Sequence, residues 1–263
     1  MVEDKVSVDS QTGTMVIPST AGNYDRVRNV FENTSRYLKS RQVDIRFRID
    51  TIGTYAEKIP HQRGLDIGCG DGSISLQLVT ATSHFTLMDL SSSMAARAHS
   101  NIPDGLADHV TILNDNFATA EFGTKRFDLI IAVGVMAHVD SPDEFLRKIK
   151  ELLSPGGTLI LEFTDAFHIV GRIGRFWSWL KELMAPAVYP TNKLSYSTVR
   201  QLLDRHQFKA ASVFRYSRVP IPGFNILVNH ANEYRLVKAL FGSCSNNHNA
   251  WLGNEYIFLL RSE

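Results

Sequence analysis

The chain is 263 residues long and 44% hydrophobic, enough to bury one sizeable core as a single α/β unit. Its 28 basic and 27 acidic residues leave a net charge of +1, so no overall field gathers a polynucleotide and a nucleic-acid substrate is disfavoured. The two cysteines, Cys69 and Cys244, build neither a disulfide framework nor a zinc site; with a polar N-terminus and no run of membrane-spanning length, they point to a reducing, cytoplasmic setting.

Residues 1–20 read as a polar lead. From Asn23 to Ile59, apolar residues such as Val27, Phe31, Leu38, Val43, Phe47 and Ile52 recur at helical spacing among arginines. Strand signals begin at Arg63–Ile67, followed by the glycine-rich turn Gly68-Cys69-Gly70-Asp71-Gly72, which is predicted to open directly into a helix over Ser73–Thr82. A second strand, His84–Leu90, carries Asp89 at its end, and a helix follows over Ser92–Asn101. Strands at Val110–Leu113 and Phe127–Val133 come next. Ser141-Pro142-Asp143-Glu144 then combines an N-cap serine, a first-turn proline and a capping-box glutamate, and the helix stops before Ser154-Pro155-Gly156-Gly157. A fifth strand spans Thr158–Phe163. After it come an amphipathic stripe over Phe167–Tyr189, a helix over Thr198–His206, a strand over Ala211–Arg218, a helical stretch over Ile226–Phe241 and a last strand, Glu255–Leu260. Apolar strands alternating with helices indicate a parallel sheet covered on both faces, whose ligands sit beyond the carboxyl ends of the strands.

A glycine turn lets backbone N–H groups approach a ligand, and a carboxylate at Asp89 suits the two hydroxyls of a ribose. The third glycine of a dinucleotide fingerprint is absent, since Ser73 stands there. Asp66, two residues before the turn, would repel a pyrophosphate yet suits an amino or sulfonium cation. Over Leu65–Gly72 the chain resembles the class I S-adenosylmethionine-dependent methyltransferases, of the small-molecule type found in the methyltransferase 11/12 and ubiquinone/menaquinone groups. The resemblance implies a Rossmann-like, doubly wound, seven-stranded, mostly parallel sheet with the final strand reversed, an N-terminal helical cap and helical lid insertions. The corresponding division is a lead and cap over 1–59, a cofactor-binding core over 60–165, a lid insertion over 166–197 and the rest of the sheet over 198–263, all in one structural domain. It also implies that Asp66, Gly68 and Gly70 surround the methionyl part of S-adenosylmethionine and Asp89 takes the ribose. Leu90 and Met94 would pack on the adenine, Asp115, Asn116 and Phe117 meet its amino group and ring, Ala132 offers backbone contacts and Tyr24 closes the site from the cap. Plainer roles stay open: Asp115 as a turn residue, Met94 as core, Tyr24 as a solvated helix start.

Methyl transfer needs an in-line approach and often a base, for which His138, beyond the fourth strand, and His168, beyond the fifth, are candidates. His138 equally serves as a brace for the loop before Ser141. Gly134 and Ala137 stand where ubiquinone-pathway O-methyltransferases carry acids, so no metal is expected. The Phe167–Tyr189 stripe fits a lid over the acceptor, a packed or dimer-forming helix, or a weak membrane-surface contact. The expected acceptor is a small organic or lipid-linked molecule taking methyl on O, N or C, and the chain is expected as a monomer or homodimer. Two other functions stay open: a non-catalytic cofactor-binding partner subunit, and a nicotinamide-dependent reductase using Tyr234-x-x-x-Lys238.

Overall fold

The computed structural model describes residues 7–8, 15–16, 23–32, 34–182, 191–219, 224 and 228–263. Seven strands form the main sheet: β1 (Arg63–Ile67), β2 (His84–Asp89), β3 (Val110–Asn114), β4 (Phe127–Ala132), β5 (Leu153–Thr164), β6 (Phe208–Tyr216) and β7 (Glu255–Ser262). They lie in the order β3-β2-β1-β4-β5-β7-β6, and β7 runs antiparallel to both of its neighbours, as the resemblance implies. The helices are α1 (Asn23–Glu32), α2 (Thr34–Ser40), α3 (Gln42–Ala56), α4 (Ser92–Ser100), α5 (Pro142–Leu152), α6 (Ile169–Glu182), α7 (Tyr196–Arg205) and α8 (His230–Phe241). The end of the 167–189 stripe, the start of the 226–241 stretch and most of the 1–20 lead fall outside the described residues.

Strand alternation divides the core. Leu65, Ile67, Ile130, Leu159, Leu161 and Tyr256 pack beneath α5 and α7, whereas Phe85, Leu87, Leu129, Ile131, Ile160 and Ile257 pack beneath α3 and α8. The order of strand addition reverses at β1: β2 and β3 lie on one side of it and β4 on the other, all running parallel, and the crevice at that point opens at the carboxyl ends.

Two local expectations fail. The turn does not open into a helix over Ser73–Thr82; a turn leads instead to a single 3-10 turn, Leu76–Leu78. Ile74, Leu76 and Leu78 are all buried, a spacing of two that a helix cannot place on one face, and the Ser83 hydroxyl captures the Thr80 N–H at 2.8 Å, ending the turn. At α5, Ser141 caps the Glu144 N–H and Pro142 sits in the first turn as expected. Glu144, however, binds Arg147 rather than completing a capping box. Among the described residues no helix is long and apolar enough to cross a membrane.

Candidate active site

A cavity of about 430 Å³ opens at the carboxyl ends of β1 to β4. Its floor is the glycine turn. Gly68 and Cys69 donate to the Met88 carbonyl at 2.8 and 3.0 Å, which fixes the turn against β2. Gly70 has φ +57°, and a Cβ there would meet nothing within 4 Å, so its missing side chain leaves open space at the cavity wall. The Gly70 N–H donates to Asp89 Oδ2 at 2.8 Å and the Ser91 N–H to Oδ1 at 2.9 Å. Burial pushes the Asp89 pKa up while these N–H groups oppose the rise. Asn114 Nδ2 braces the end of β2 by donating to the carbonyls of Asp89 and Leu90.

Of the residues singled out in the sequence, Tyr24, Gly68, Gly70, Asp89, Leu90, Met94, Asp115, Asn116, Phe117 and His138 all line this cavity. Asp66 and Ala132 do not. Ala132 is buried within β4, and Val133 and Gly134 form the wall in its place. Asp66 lies beneath the turn, 1% exposed, with neither oxygen in good hydrogen-bond geometry.

Burial, helped by Asp89, pushes the Asp66 pKa up to about 7 against the pull of Ser75 and Arg48. The folded chain therefore keeps a proton that the unfolded chain releases above about pH 4, and stability declines as pH rises from there to about 7. Asp66→Asn is expected to raise the ligand-free melting temperature at about pH 8, by an amount that vanishes near pH 4. Thermal denaturation at both pH values checks this, and an equal shift at both would show that another group holds the proton.

Several wall residues carried no signal in the sequence beyond helical spacing: Val27, Arg28 and Phe31 of α1, Leu38 of α2, and Ile45 and Arg48 of α3. α1 is fastened over the cavity by Glu32, whose carboxylate accepts the Ser92 and Ser93 N–H groups at the start of α4 at 2.9 and 3.2 Å. Burial opposes ionisation of Glu32, but hydrogen bonds from both serines outweigh it and hold its pKa below the ordinary value. Arg48 pairs with Glu162 of β5 at 2.6 Å, both buried. Gly134, at φ +73°, makes room for it, since a Cβ there would come within 3.0 Å of the guanidinium.

His138 sits in the turn after β4, its N–H donating to the Val135 carbonyl at 2.8 Å and its ring edge-on to Phe31 at 5.4 Å. Asn192 secures this loop by donating to the carbonyls of Val139 and Ala137. Burial, then the charges of Arg41 and Arg48, lowers the His138 pKa to about 4, so the ring is neutral at physiological pH. The other candidate base, His168, is outside the cavity; its Nε2–H donates to the Trp251 carbonyl at 2.9 Å and its Nδ1 accepts the Val170 N–H. Tyr234 and Lys238 both bind the Asp50 carboxylate, also outside this cavity, so the reductase pattern has no place at the site.

Residues 65–159 match the family described as "Methyltransferase domain". The ubiquinone/menaquinone biosynthesis C-methyltransferase UbiE of Vibrio vulnificus is 29% identical over 190 residues, 65% of this chain and 68% of that protein. Among solved structures, magnesium protoporphyrin IX methyltransferase of Synechocystis PCC 6803, with bound S-adenosylhomocysteine, superposes with a TM-score of 0.62 at 17% identity, covering 92% of this chain and all of that one. A Thermotoga maritima methyltransferase, described as a possible histamine N-methyltransferase, gives 0.62 at 15% identity with the same coverage. With its β3-β2-β1-β4-β5-β7-β6 sheet and its glycine turn at the crevice, the chain has the fold of the class I S-adenosylmethionine-dependent methyltransferases, and its residues 65–159 match their methyltransferase domain.

Proposed function

We propose that the cavity binds S-adenosylmethionine and that its methyl group passes to a nucleophilic atom of a mid-sized organic or lipid-linked molecule. The reading rests on the open space at Gly70, beside a carboxylate that already organises the turn. An adenosyl ligand fits that cradle: Asp89 keeps lone pairs for the ribose hydroxyls, and Leu90, Met94 and Phe117 offer apolar surface to the adenine. Asp115 and Asn116 stand ready for its amino group, Asp66 supplies negative charge beneath the methionyl part when ionised, and Tyr24 closes the cap side.

The ligand supplies a methyl on a positively charged sulfur; as the new bond forms, the old S–C electron pair remains on sulfur as a thioether. The chain contributes alignment of the acceptor along that axis and exclusion of water. Phe31, Leu38, Ile45, Val135 and Val139 give the rest of the cavity an apolar lining suited to the body of the acceptor. Burial is the chief cause of the lowered His138 pKa, and the charges of Arg41 and Arg48 that add to it also favour loss of a proton from an acidic acceptor. His138 accepts that proton through a hydrogen bond and, being a weak base, yields it at once to water. The C-methyltransferase name of the Vibrio relative favours carbon as the receiving atom.

Gly70→Ala separates a ligand cradle from a structural turn. The new methyl strikes no protein atom, so only the positive φ is strained, at a cost of about 1 kcal/mol. Affinity for S-adenosylhomocysteine should fall about 30-fold or more, because the methyl occupies ligand space. Titration calorimetry measures this, and undiminished affinity would remove the ligand from the turn. Transfer of labelled methyl to a panel of aromatic and lipid-linked acceptors then tests catalysis. Cofactor binding with no acceptor methylated would favour the partner-subunit role.

A further inference from the structure

We infer that α6 and the Trp251 loop form a docking surface for an anionic lipid bilayer. The chain has three tryptophans, and all three lie here. Trp177 and Trp179 on α6 are 37% and 54% exposed, and Trp251 is 69% exposed. Phe167, Ile169, Ile173 and Phe176 are exposed beside them. Apolar surface on this scale is rare on a protein facing only water. Indole rings, with an apolar body and one N–H donor, favour the boundary between headgroups and acyl chains.

Among the described residues, the contacts that hold the helix gather at its start. Asp165 Oδ1 accepts the N–H groups of Phe167 and His168 at 2.8 and 3.1 Å, and His168 ties the start of α6 to Trp251. Gly171 lies flat on the Asp165–Ala166 backbone, where a Cβ would come within 2.3 Å of a carbonyl. Beyond Gly171 the described large side chains of α6 are exposed, apart from a half-buried Arg175 whose guanidinium sits 4.5 Å above the Phe167 ring.

Charge selects the occupant. Between Asp165 and Glu182 the sequence contains no acid but includes Arg172, Arg175 and Lys181, and the loop from Gly242 to Gly253 also lacks acids. Arginines among tryptophans complement anionic headgroups. A second copy of the chain would set one basic, acid-free patch against another. It would also cover a single side of the helix, whereas Ile169 and Ile173 point one way and Trp179 another, as their spacing along the helix requires. A bilayer boundary receives all of them at once. α6 follows directly from β5, whose carboxyl end shares the sheet edge on which the cavity opens. A docked bilayer would thus lie at the rim from which a lipid-linked acceptor enters; that last point rests on the acceptor proposed above, but the docking does not.

The test is co-sedimentation of the full chain with vesicles of phosphatidylglycerol mixed with phosphatidylcholine, against phosphatidylcholine alone. Preferential binding to the anionic vesicles is expected, weakening with added salt, with a blue shift of tryptophan emission and quenching by brominated acyl chains. Trp177→Ser/Trp179→Ser should abolish binding, and Arg172→Gln/Arg175→Gln should lower it about tenfold. Both variants should bind S-adenosylhomocysteine as the unaltered chain does, which keeps a failure here distinct from a failure of the cofactor site. Absence of vesicle binding, or binding undiminished in both variants, would overturn the inference. So would a dimer in sedimentation equilibrium that Trp177→Ser/Trp179→Ser dissociates.

Discussion

Asp89→Ala should weaken S-adenosylhomocysteine binding by about 100-fold or more, with the chain still folded. Two effects combine. The ribose hydroxyls lose a charged acceptor, and hydrogen bonds to charged groups are each worth about 1.5–3 kcal/mol, where about 1.4 kcal/mol is tenfold in affinity. The N–H groups of Gly70 and Ser91 also lose the carboxylate that aims the turn, so the cradle itself loosens. Removing a buried carboxylate whose pKa is raised by desolvation relieves a cost to folding, which offsets part of the lost bonding and leaves stability little changed. Asp89→Asn should fare nearly as badly, because its NH2 group must face one of those two N–H donors. Calorimetric titration of the three proteins decides the matter. Equal affinities would place the nucleoside elsewhere and dissolve the site as drawn.

Arg48→Met should be the most damaging change to the fold, at about 3–5 kcal/mol, or roughly 10 °C in melting temperature for a chain of this size. The Arg48–Glu162 pair is buried on both sides, and removal of the cation leaves Glu162 near two other carboxylates. Glu255 already has its pKa pushed upward by burial, then by Glu162 and Asp44. Arg48 opposes that rise, so without it the Glu255 pKa climbs further. The folded state then takes up a proton that the unfolded chain does not hold, so the deficit grows as pH rises. Denaturation at about pH 5 and about pH 8 should therefore show the larger loss at the higher value. Glu162→Gln should cost less, since Arg48 can still pair with the remaining acids. A smaller loss for Arg48→Met than for Glu162→Gln would mean that the pair is not the structural partner it is taken to be.

Strand positions were legible in the sequence because each parallel strand is an apolar run bounded by turn residues; Arg63–Ile67 begins and ends as predicted, and the others differ by a few residues. Apart from Tyr24 on α1, the sequence-marked residues that line the cavity were legible because they cluster within a few positions of strand ends, where the sheet brings them to one edge. Arg48 was not, because helical spacing marks which residues share a side of α3 but not that one of them reaches across to Glu162 on a strand distant in sequence. The failed helix after Gly72 had a visible warning: apolar residues at 74, 76 and 78 alternate with period two. Asp66 fell behind the wall instead of in it because the residue one position before the strand end at Ile67 is still part of the pleat, and its side chain is buried beneath the turn.

The reversal of β7 has a consequence for how the last third of the chain contributes. A strand running with its neighbours would deliver its leading loop to the opposite rim, far from the crevice. Running against them, β7 starts at Glu255, paired with Thr164 at the end of β5, so the segment around Trp251 arrives where α6 departs. One inverted strand thus recruits a sequence-distant segment to the working side of the molecule, and the arrival of Trp251 beside the helix that carries the other two indoles is a product of topology rather than of proximity along the chain.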